Sequence, residues 1–225
     1  PYLANPAGVS RQARRALLDD IAAMNAAHLA DYGDPEIDTR IAQYEMAFAM
    51  QASVPDLVDF SDEPRHVLDR YGPDVHVKGS FAYNCLIARR LLERGTRFVQ
   101  LMHAGWDQHG NLFTQLEIQC KDTEGPSAAL VQDLKERGML ADTLVAWGGE
   151  FGRTPRLENS VGSQTGVMQP GRDHWPQAQS ALIAGGGLRM GQVVGATNSK
   201  AEFPTERPYS PQDLLATIYR HLGID

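Results

Sequence analysis

The chain has 225 residues, of which 42% are hydrophobic, with a formal charge of −7 and a pI near 5.5. This length and composition are sufficient for one α/β domain that needs neither disulfides nor a metal ion merely to fold. The acidic balance argues against a nucleic-acid-binding protein, because phosphate backbones are bound through clustered Lys and Arg. The sequence also predicts no membrane span, since no apolar stretch approaches about 18 residues.

The first part of the chain has the apolar spacing of helices. Ser10 is a suitable N-cap for one helix, and Gly33 breaks that pattern. Asp34 and Pro35 then begin a second helix, with Asp as its cap and Pro in its first turn. We therefore expect residues 1–60 to form a helical hairpin.

The remainder of the chain alternates between helical and strand-like segments. Helices are predicted at residues 63–71, 79–95, 112–139 with a break around Gly125-Pro126, and 211–222. Buried strands are predicted at residues 97–103, 142–147, 180–184 and 192–196. This alternation predicts an α/β fold, with a mostly parallel sheet flanked by helices.

Acid and imidazole side chains concentrate in three short clusters. They are GWDQHGN at residues 105–111, GGEFGRTP at 148–155 and GRDHWP at 171–176. The first two follow directly on predicted strands, so we expect their polar groups at the strand ends, where open α/β sheets bind ligands.

The spacing within these clusters suits a divalent metal ion. Asp107 and His109 are two residues apart, so an extended backbone places both side chains on the same side. Glu150 offers an oxygen beside them, and Asp173 and His174 would come from the long loop that follows; because adjacent residues point different ways, His174 is favoured as the direct ligand. This mixed oxygen and nitrogen set favours Zn²⁺ or Mn²⁺ over Ca²⁺ and Mg²⁺.

Each residue also has an ordinary structural interpretation. Asp107 could cap the helix that follows, Glu150 could pair with Arg153, and His174 could stack on Trp175. Taken together, three acid or histidine clusters flanked by glycines favour one shared ligand site.

Two arginines are candidates for binding an oxyanion beside the ion. Arg153 and Arg172 lie within the clusters, and a guanidinium can hold a tetrahedral anion through paired hydrogen bonds. The alternative is that they only balance the charges of Glu150 and Asp173. No nucleophile is identified: Cys85 and Cys120 lack metal-ligand spacing and the C-x-P-x-R signature of sulfatases, and we interpret both as structural or incidental thiols.

The order of the motifs resembles the DUF1501 family of bacterial proteins, specifically its C-terminal portion. The matching segments are residues 79–101, 105–111, 142–155, 171–175 and 213–225. Members of that family are often labelled sulfatase-like, and the family is similar to the alkaline phosphatase superfamily. The resemblance implies an alkaline-phosphatase-like sheet with a divalent, often two-metal, site at its strand ends.

The resemblance also implies roles for individual residues. Asp107 and His109 would bind one ion, His174 would return to that ion, and Glu150 would belong to a second. Phe151 stands where the superfamily has a histidine, so the second metal position is expected to be weak, altered or absent.

The function implied by the resemblance is metal-dependent hydrolysis of sulfate or phosphate esters, on a small-molecule or glycan substrate. The alternatives are a non-catalytic metal-containing protein that binds sulfated or phosphorylated glycans or is structural, and an unrelated α/β enzyme without metal.

We expect residues 1–225 to form a single α/β domain that lacks its N-terminal part, where the superfamily's nucleophile would lie. In this interpretation residues 1–60 are a helical insertion and residues 61–225 are the metal-site core. The resemblance suggests a periplasmic or extracellular protein, because family members frequently carry export signals.

Overall fold

The computed structural model describes residues 5–161 and 166–224. Residues 1–4, 162–165 and 225, which the predicted domain includes, lie outside this description. The chain divides into two compact units, Pro1–Glu63 and Pro64–Asp225. A search of the described helices finds none with the length and apolar character that a membrane span requires.

The first unit contains the predicted pair of helices. They are α1 (Arg11–Tyr32) and α2 (Pro35–Val58). The Ser10 hydroxyl accepts a hydrogen bond from the Ala13 N–H at 3.1 Å, and Gly33 ends α1 in the left-handed region at φ 67°. Asp34 caps α2 by accepting from the Glu36 N–H at 2.9 Å. The capping residues read from the sequence therefore set these boundaries.

The two helices of the first unit pack as an antiparallel hairpin. The Arg15 guanidinium on α1 donates to both carboxylate oxygens of Glu45 on α2, at 2.7 and 2.6 Å. It also lies 4.9 Å from the centroid of the Phe48 ring, while Leu18 is buried. The paired guanidinium and carboxylate fix the register of the two helices.

The second unit begins with a group of helices and ends with one. They are α3 (Arg65–Tyr71), a 3-10 turn (Pro73–His76), α4 (Phe81–Glu93), α5 (Leu112–Glu136) and α6 (Pro211–Leu222). Ser80 caps α4 by accepting from the Tyr83 N–H, and Ser210 forms a reciprocal capping box with Asp213 at the start of α6. The predicted break at Gly125-Pro126 is wrong: α5 continues through Pro126, which is buried, because tertiary packing outweighs local propensity.

A buried ionic network holds α3, α4 and α5 together. Asp133 on α5 is 2% exposed, and its carboxylate accepts from the Tyr71 hydroxyl at 3.0 Å and the Arg89 Nε at 3.0 Å. Its other oxygen accepts from the Arg137 Nε at 2.7 Å. Burial, reinforced by the charge of Asp133, raises the pKa of the Tyr71 hydroxyl. The Arg89 guanidinium, 1% exposed, also pairs with Glu93 at 2.7 Å.

The strands form small antiparallel sheets, which contradicts the predicted fold class. The paired strands are β1 (Leu144–Trp147) with β6 (Leu182–Gly185), β2 (Gly152–Arg153) with β5 (His174–Trp175), β3 (Glu158–Val161) with β4 (Met168–Gly171), and β7 (Ala196–Thr197) with β8 (Pro204–Glu206). Every one of these described sheets has two antiparallel strands. The prediction of an α/β fold with a mostly parallel, alkaline-phosphatase-like sheet is therefore wrong.

Two of the predicted strands differ for a physical reason. Residues 97–103 alternate between half-buried Val99 and Leu101 and exposed Phe98 and Met102, yet no backbone hydrogen bond joins them to a strand within the described ranges. Residues 192–196 overlap β7 only at Ala196. Apolar periodicity reports which side chains are buried, whereas a strand also needs a hydrogen-bonded neighbour.

The antiparallel pairing of β1 with β6 is consistent with the chain segment that connects these two strands. Parallel neighbours require a long crossover, usually a helix. Between β1 and β6 the described chain forms short β-ladders and no helix, so it returns antiparallel and pairs Leu144 with Gly185 and Trp147 with Leu182.

We predict that Asp133→Asn lowers the free energy of unfolding by about 3 kcal/mol, because it removes the buried charge that compensates Arg89. Urea unfolding followed by circular dichroism measures this change. Glu136→Gln is the matched control on the same helix, since it affects only exposed contacts, with Arg70 and Gln132, and we expect little change. Equal effects of the two substitutions would contradict the role of the buried network.

Candidate metal centre

The loop that carries Asp107 and His109 has a defined backbone path into α5. Gly105 has φ +99°, and a Cβ there would collide with the side-chain amide of Gln119. The buried Gln108 side chain folds back and donates to the Gly105 carbonyl. With Gln108 turned inward, its two neighbours project together toward solvent, as their two-residue spacing predicts.

Backbone hydrogen bonds join the three sequence clusters into one site. The β2–β5 ladder places Arg153 opposite His174. The Arg172 N–H donates to the Gln108 carbonyl at 3.1 Å, which connects the third cluster to the first. Gly171 is required at this junction, because a Cβ there would collide with the backbone of His109.

Asp107, His109 and His174 bring together atoms of the kinds that bind metal ions. The Asp107 Oδ1 lies 2.9 Å from the His109 Nε2 and 3.2 Å from the His174 Nε2. The three residues can each offer an atom such that all three atoms lie within 4.8 Å of one another. The side chains are 65%, 43% and 50% exposed, respectively. The cluster is therefore open to a ligand from solvent.

Arg153 anchors the carboxylate of this cluster. Its guanidinium donates to the Asp107 Oδ1 at 2.6 Å, to the Trp106 carbonyl at 3.0 Å and to the Arg172 carbonyl at 3.3 Å. The hydrogen bond from Arg153 to the Asp107 carboxylate, followed by the one from His174, lowers the pKa of Asp107 to about 2. The geometry favours a positioning role for Arg153, although its predicted role in oxyanion binding stays a prediction.

The two imidazoles have different supports. The His109 Nδ1 lies 2.7 Å from the Asp173 Oδ1. The His174 ring packs against Phe151, with centroids 4.3 Å apart and planes inclined by 41°. Phe151 was interpreted from the sequence only as a departure from a metal-ligand pattern, and its position next to Glu150 gave no sign of this contact.

The remaining predicted site residues lie outside the cluster of three. Glu150 is exposed and is not among the grouped ligands of the described residues. Arg172 is half-buried, and its guanidinium has no hydrogen-bond or ion-pair partner within residues 5–161 and 166–224. The roles predicted for Glu150, Asp173 and Arg172 thus remain predictions.

Neither cysteine belongs to the cluster. Cys85 is buried in α4, and burial raises the pKa of its thiol to about 12. Cys120 is half-buried on α5. Both are free thiols, consistent with the structural interpretation of the sequence.

Comparison with protein families gives one match that covers the chain. The family model described as "Protein of unknown function (DUF1501)" matches residues 1–225. The chain belongs to the DUF1501 family. Neither the curated proteins nor the solved structures contain a match. The DUF1501 resemblance read from the motifs is thus confirmed, and the match extends over residues 1–60 as well.

We predict that Arg153→Gln raises the pKa of Asp107 from about 2 toward its ordinary value near 4, because the guanidinium that stabilises the carboxylate is lost. Carboxyl ¹³C NMR titration measures this value. In the wild type, the stabilisation from ionised Asp107 is complete above the ordinary pKa and is lost as the pH falls through about 2; in the variant the folded and unfolded pKa values lie closer together, so less of this stabilisation should be present at any pH. An unchanged pKa would contradict the anchoring role.

Proposed function

We propose that this DUF1501 protein is a metal-dependent hydrolase of phosphate or sulfate esters, with one divalent ion held by Asp107, His109 and His174. The observation that supports the proposal is the convergence of one carboxylate oxygen and two imidazole Nε2 atoms on a solvent-exposed point. The proposal does not depend on an alkaline-phosphatase-like fold, which the antiparallel sheets contradict.

The donor set fits a Zn²⁺-sized ion. Bonds of about 2.0–2.1 Å in tetrahedral geometry place neighbouring ligand atoms roughly 3.3–3.4 Å apart. The Asp107 Oδ1 is 2.9 Å from one imidazole nitrogen and 3.2 Å from the other, so small outward movements would suffice. Two imidazoles and a carboxylate suit Zn²⁺ or Mn²⁺, whereas Ca²⁺ and Mg²⁺ prefer ligand sets made of oxygen atoms.

The number of ligands is the reason to propose catalysis. Catalytic zinc sites have three protein ligands and an open position, while structural sites use four. An ion held here would supply Lewis-acid chemistry, polarising the ester and favouring attack by water. Asp107 and the two histidines would hold the ion, and the Arg153 contact would keep the Asp107 carboxylate in place.

Arg172 is the group we assign to the substrate's anionic oxygens. Its backbone is fixed by the hydrogen bond to Gln108, next to His109, and its guanidinium has no partner in the described parts of the chain. A guanidinium that is not already paired can bind a tetrahedral anion at two oxygens. This is the basis for a phosphate or sulfate ester, from a small molecule or a glycan, as the substrate class.

One observation favours a second candidate, a non-catalytic protein that uses the ion to bind sulfated or phosphorylated glycans or for structure. Among the described residues around the cluster, the Thr154 hydroxyl donates to the Arg156 carbonyl and accepts from the Asp173 N–H, so it is not poised as a nucleophile. Hydrolysis here would thus depend on water. Export to the periplasm or exterior also remains a proposal, based on family resemblance.

We predict that the dialysed protein binds about one Zn²⁺ or Mn²⁺ per chain, and that Asp107→Ala and His174→Ala lose it. Asp142→Asn, which changes an exposed acid two residues before β1, is the matched control and should retain the ion. Elemental mass spectrometry gives the stoichiometry.

Turnover of 4-nitrophenyl phosphate or sulfate should stop with chelator and return with metal. Arg172→Ala should lower kcat/KM about 10–100-fold, as expected for a lost charge-assisted hydrogen bond, without loss of metal.

The outcomes separate the candidates. Stoichiometric metal without turnover of either ester would favour the non-catalytic protein. Metal that stays in both Asp107→Ala and His174→Ala would contradict the ligand assignment.

A further inference from the structure

The His109 ring has an acid at each nitrogen. Its Nε2 lies 2.9 Å from the Asp107 Oδ1, and its Nδ1 lies 2.7 Å from the Asp173 Oδ1. His174 differs, because its Nε2 contacts Asp107 while its ring packs against Phe151. His109 thus has a carboxylate at both ring nitrogens, whereas His174 has a carboxylate at one nitrogen and an aromatic ring against its face.

The two acids beside His109 have different partners. The Asp107 Oδ1 is shared among Arg153, His109 and His174. In the described part of the chain, the Asp173 carboxylate has His109 as its partner, and it is not in the group of converging ligand atoms. Asp173 therefore lies behind the imidazole, on the side away from the shared point.

The backbone of Asp173 is held on both sides by Thr154. The Asp173 N–H donates to the Thr154 Oγ1 at 3.1 Å, and the Thr154 N–H donates to the Asp173 carbonyl at 2.9 Å. These contacts continue the β2–β5 ladder by one residue. Although the Asp173 carboxylate is exposed, these two hydrogen bonds fix the position of the Asp173 backbone, from which the side chain extends to His109.

We infer that Asp173 is a positioning residue: it accepts the Nδ1 proton of His109 and thereby directs the Nε2 lone pair of that ring toward the ion. This inference rests on the proposed metal site, and it replaces the interpretation of Asp173 as a ligand. Carboxylates that accept from the second nitrogen of a metal-binding histidine fix the tautomer and increase ligand basicity. The side chains of the adjacent residues Asp173 and His174 point in different directions. Asp173 therefore positions His109, while His174 binds the ion.

Metal affinity tests this role. In competition titrations with a chromophoric zinc chelator, Asp173→Ala and the isosteric Asp173→Asn should still bind one Zn²⁺ per chain, but about 10–100-fold more weakly. Asp173→Glu should recover part of the loss, and the control Asp142→Asn should match the wild type. Unchanged affinity in both Asp173→Ala and Asp173→Asn would overturn the inference. Complete loss of stoichiometric binding, as expected for Asp107→Ala, would show instead that Asp173 is a ligand.

A spectroscopic measurement separates this contact from the metal proposal. In protein labelled with ¹⁵N-histidine, the Nδ1 proton of His109 should be protected from exchange with water, and Asp173→Ala should remove that protection. The measurement is made with and without Zn²⁺. A protected proton in a protein that binds no Zn²⁺ would support the Asp173–His109 contact but would contradict the proposed function. An unprotected proton in zinc-loaded wild type would reject the contact.

Discussion

The fold of the second unit depends on the buried carboxylate of Asp133. It accepts hydrogen bonds from Tyr71, Arg89 and Arg137, and so joins α3, α4 and α5 at one point. A charge at 2% exposure is tolerated only when its partners are present, which makes the arrangement of these helices specific. The loop that carries Asp107 and His109 begins after α4 and ends at α5, so this helical core fixes both of its ends.

The candidate site combines that fixed loop with strands that bring in the other groups. The β2–β5 ladder supplies Arg153 and His174, and the close approach of Gly171 to the His109 backbone leaves no room for a side chain. Ligand groups on exposed loops, supported by a rigid scaffold, are typical of functional sites. Here the support extends to individual side chains, since Arg153 holds Asp107 and Phe151 packs against His174.

Local signals in the sequence predicted the helices and the proximity of Asp107 to His109, while pairing between distant segments was not predictable. Ser10 and Asp34 cap helices as their positions indicate, because a cap depends only on neighbouring residues. The two-residue spacing of Asp107 and His109 predicted their convergence. The predicted parallel sheet is wrong because alternation along residues 97–103 reveals burial but no hydrogen-bonded neighbour. The roles of Asp173 and Phe151 depend on contacts across the site, which no spacing encodes.

The central claim is that one divalent ion is bound by two imidazoles and a carboxylate, and X-ray absorption spectroscopy of the zinc-loaded protein tests it most directly. We predict nitrogen and oxygen ligands at about 2.0–2.1 Å and multiple-scattering features of two imidazoles in the wild type, and no bound zinc to give such a spectrum in His174→Ala. Sulfur at about 2.3 Å would place the metal at a cysteine. A second metal at about 3.5–4 Å would require a ligand set beyond Asp107, His109 and His174. Either result would contradict this account of the site.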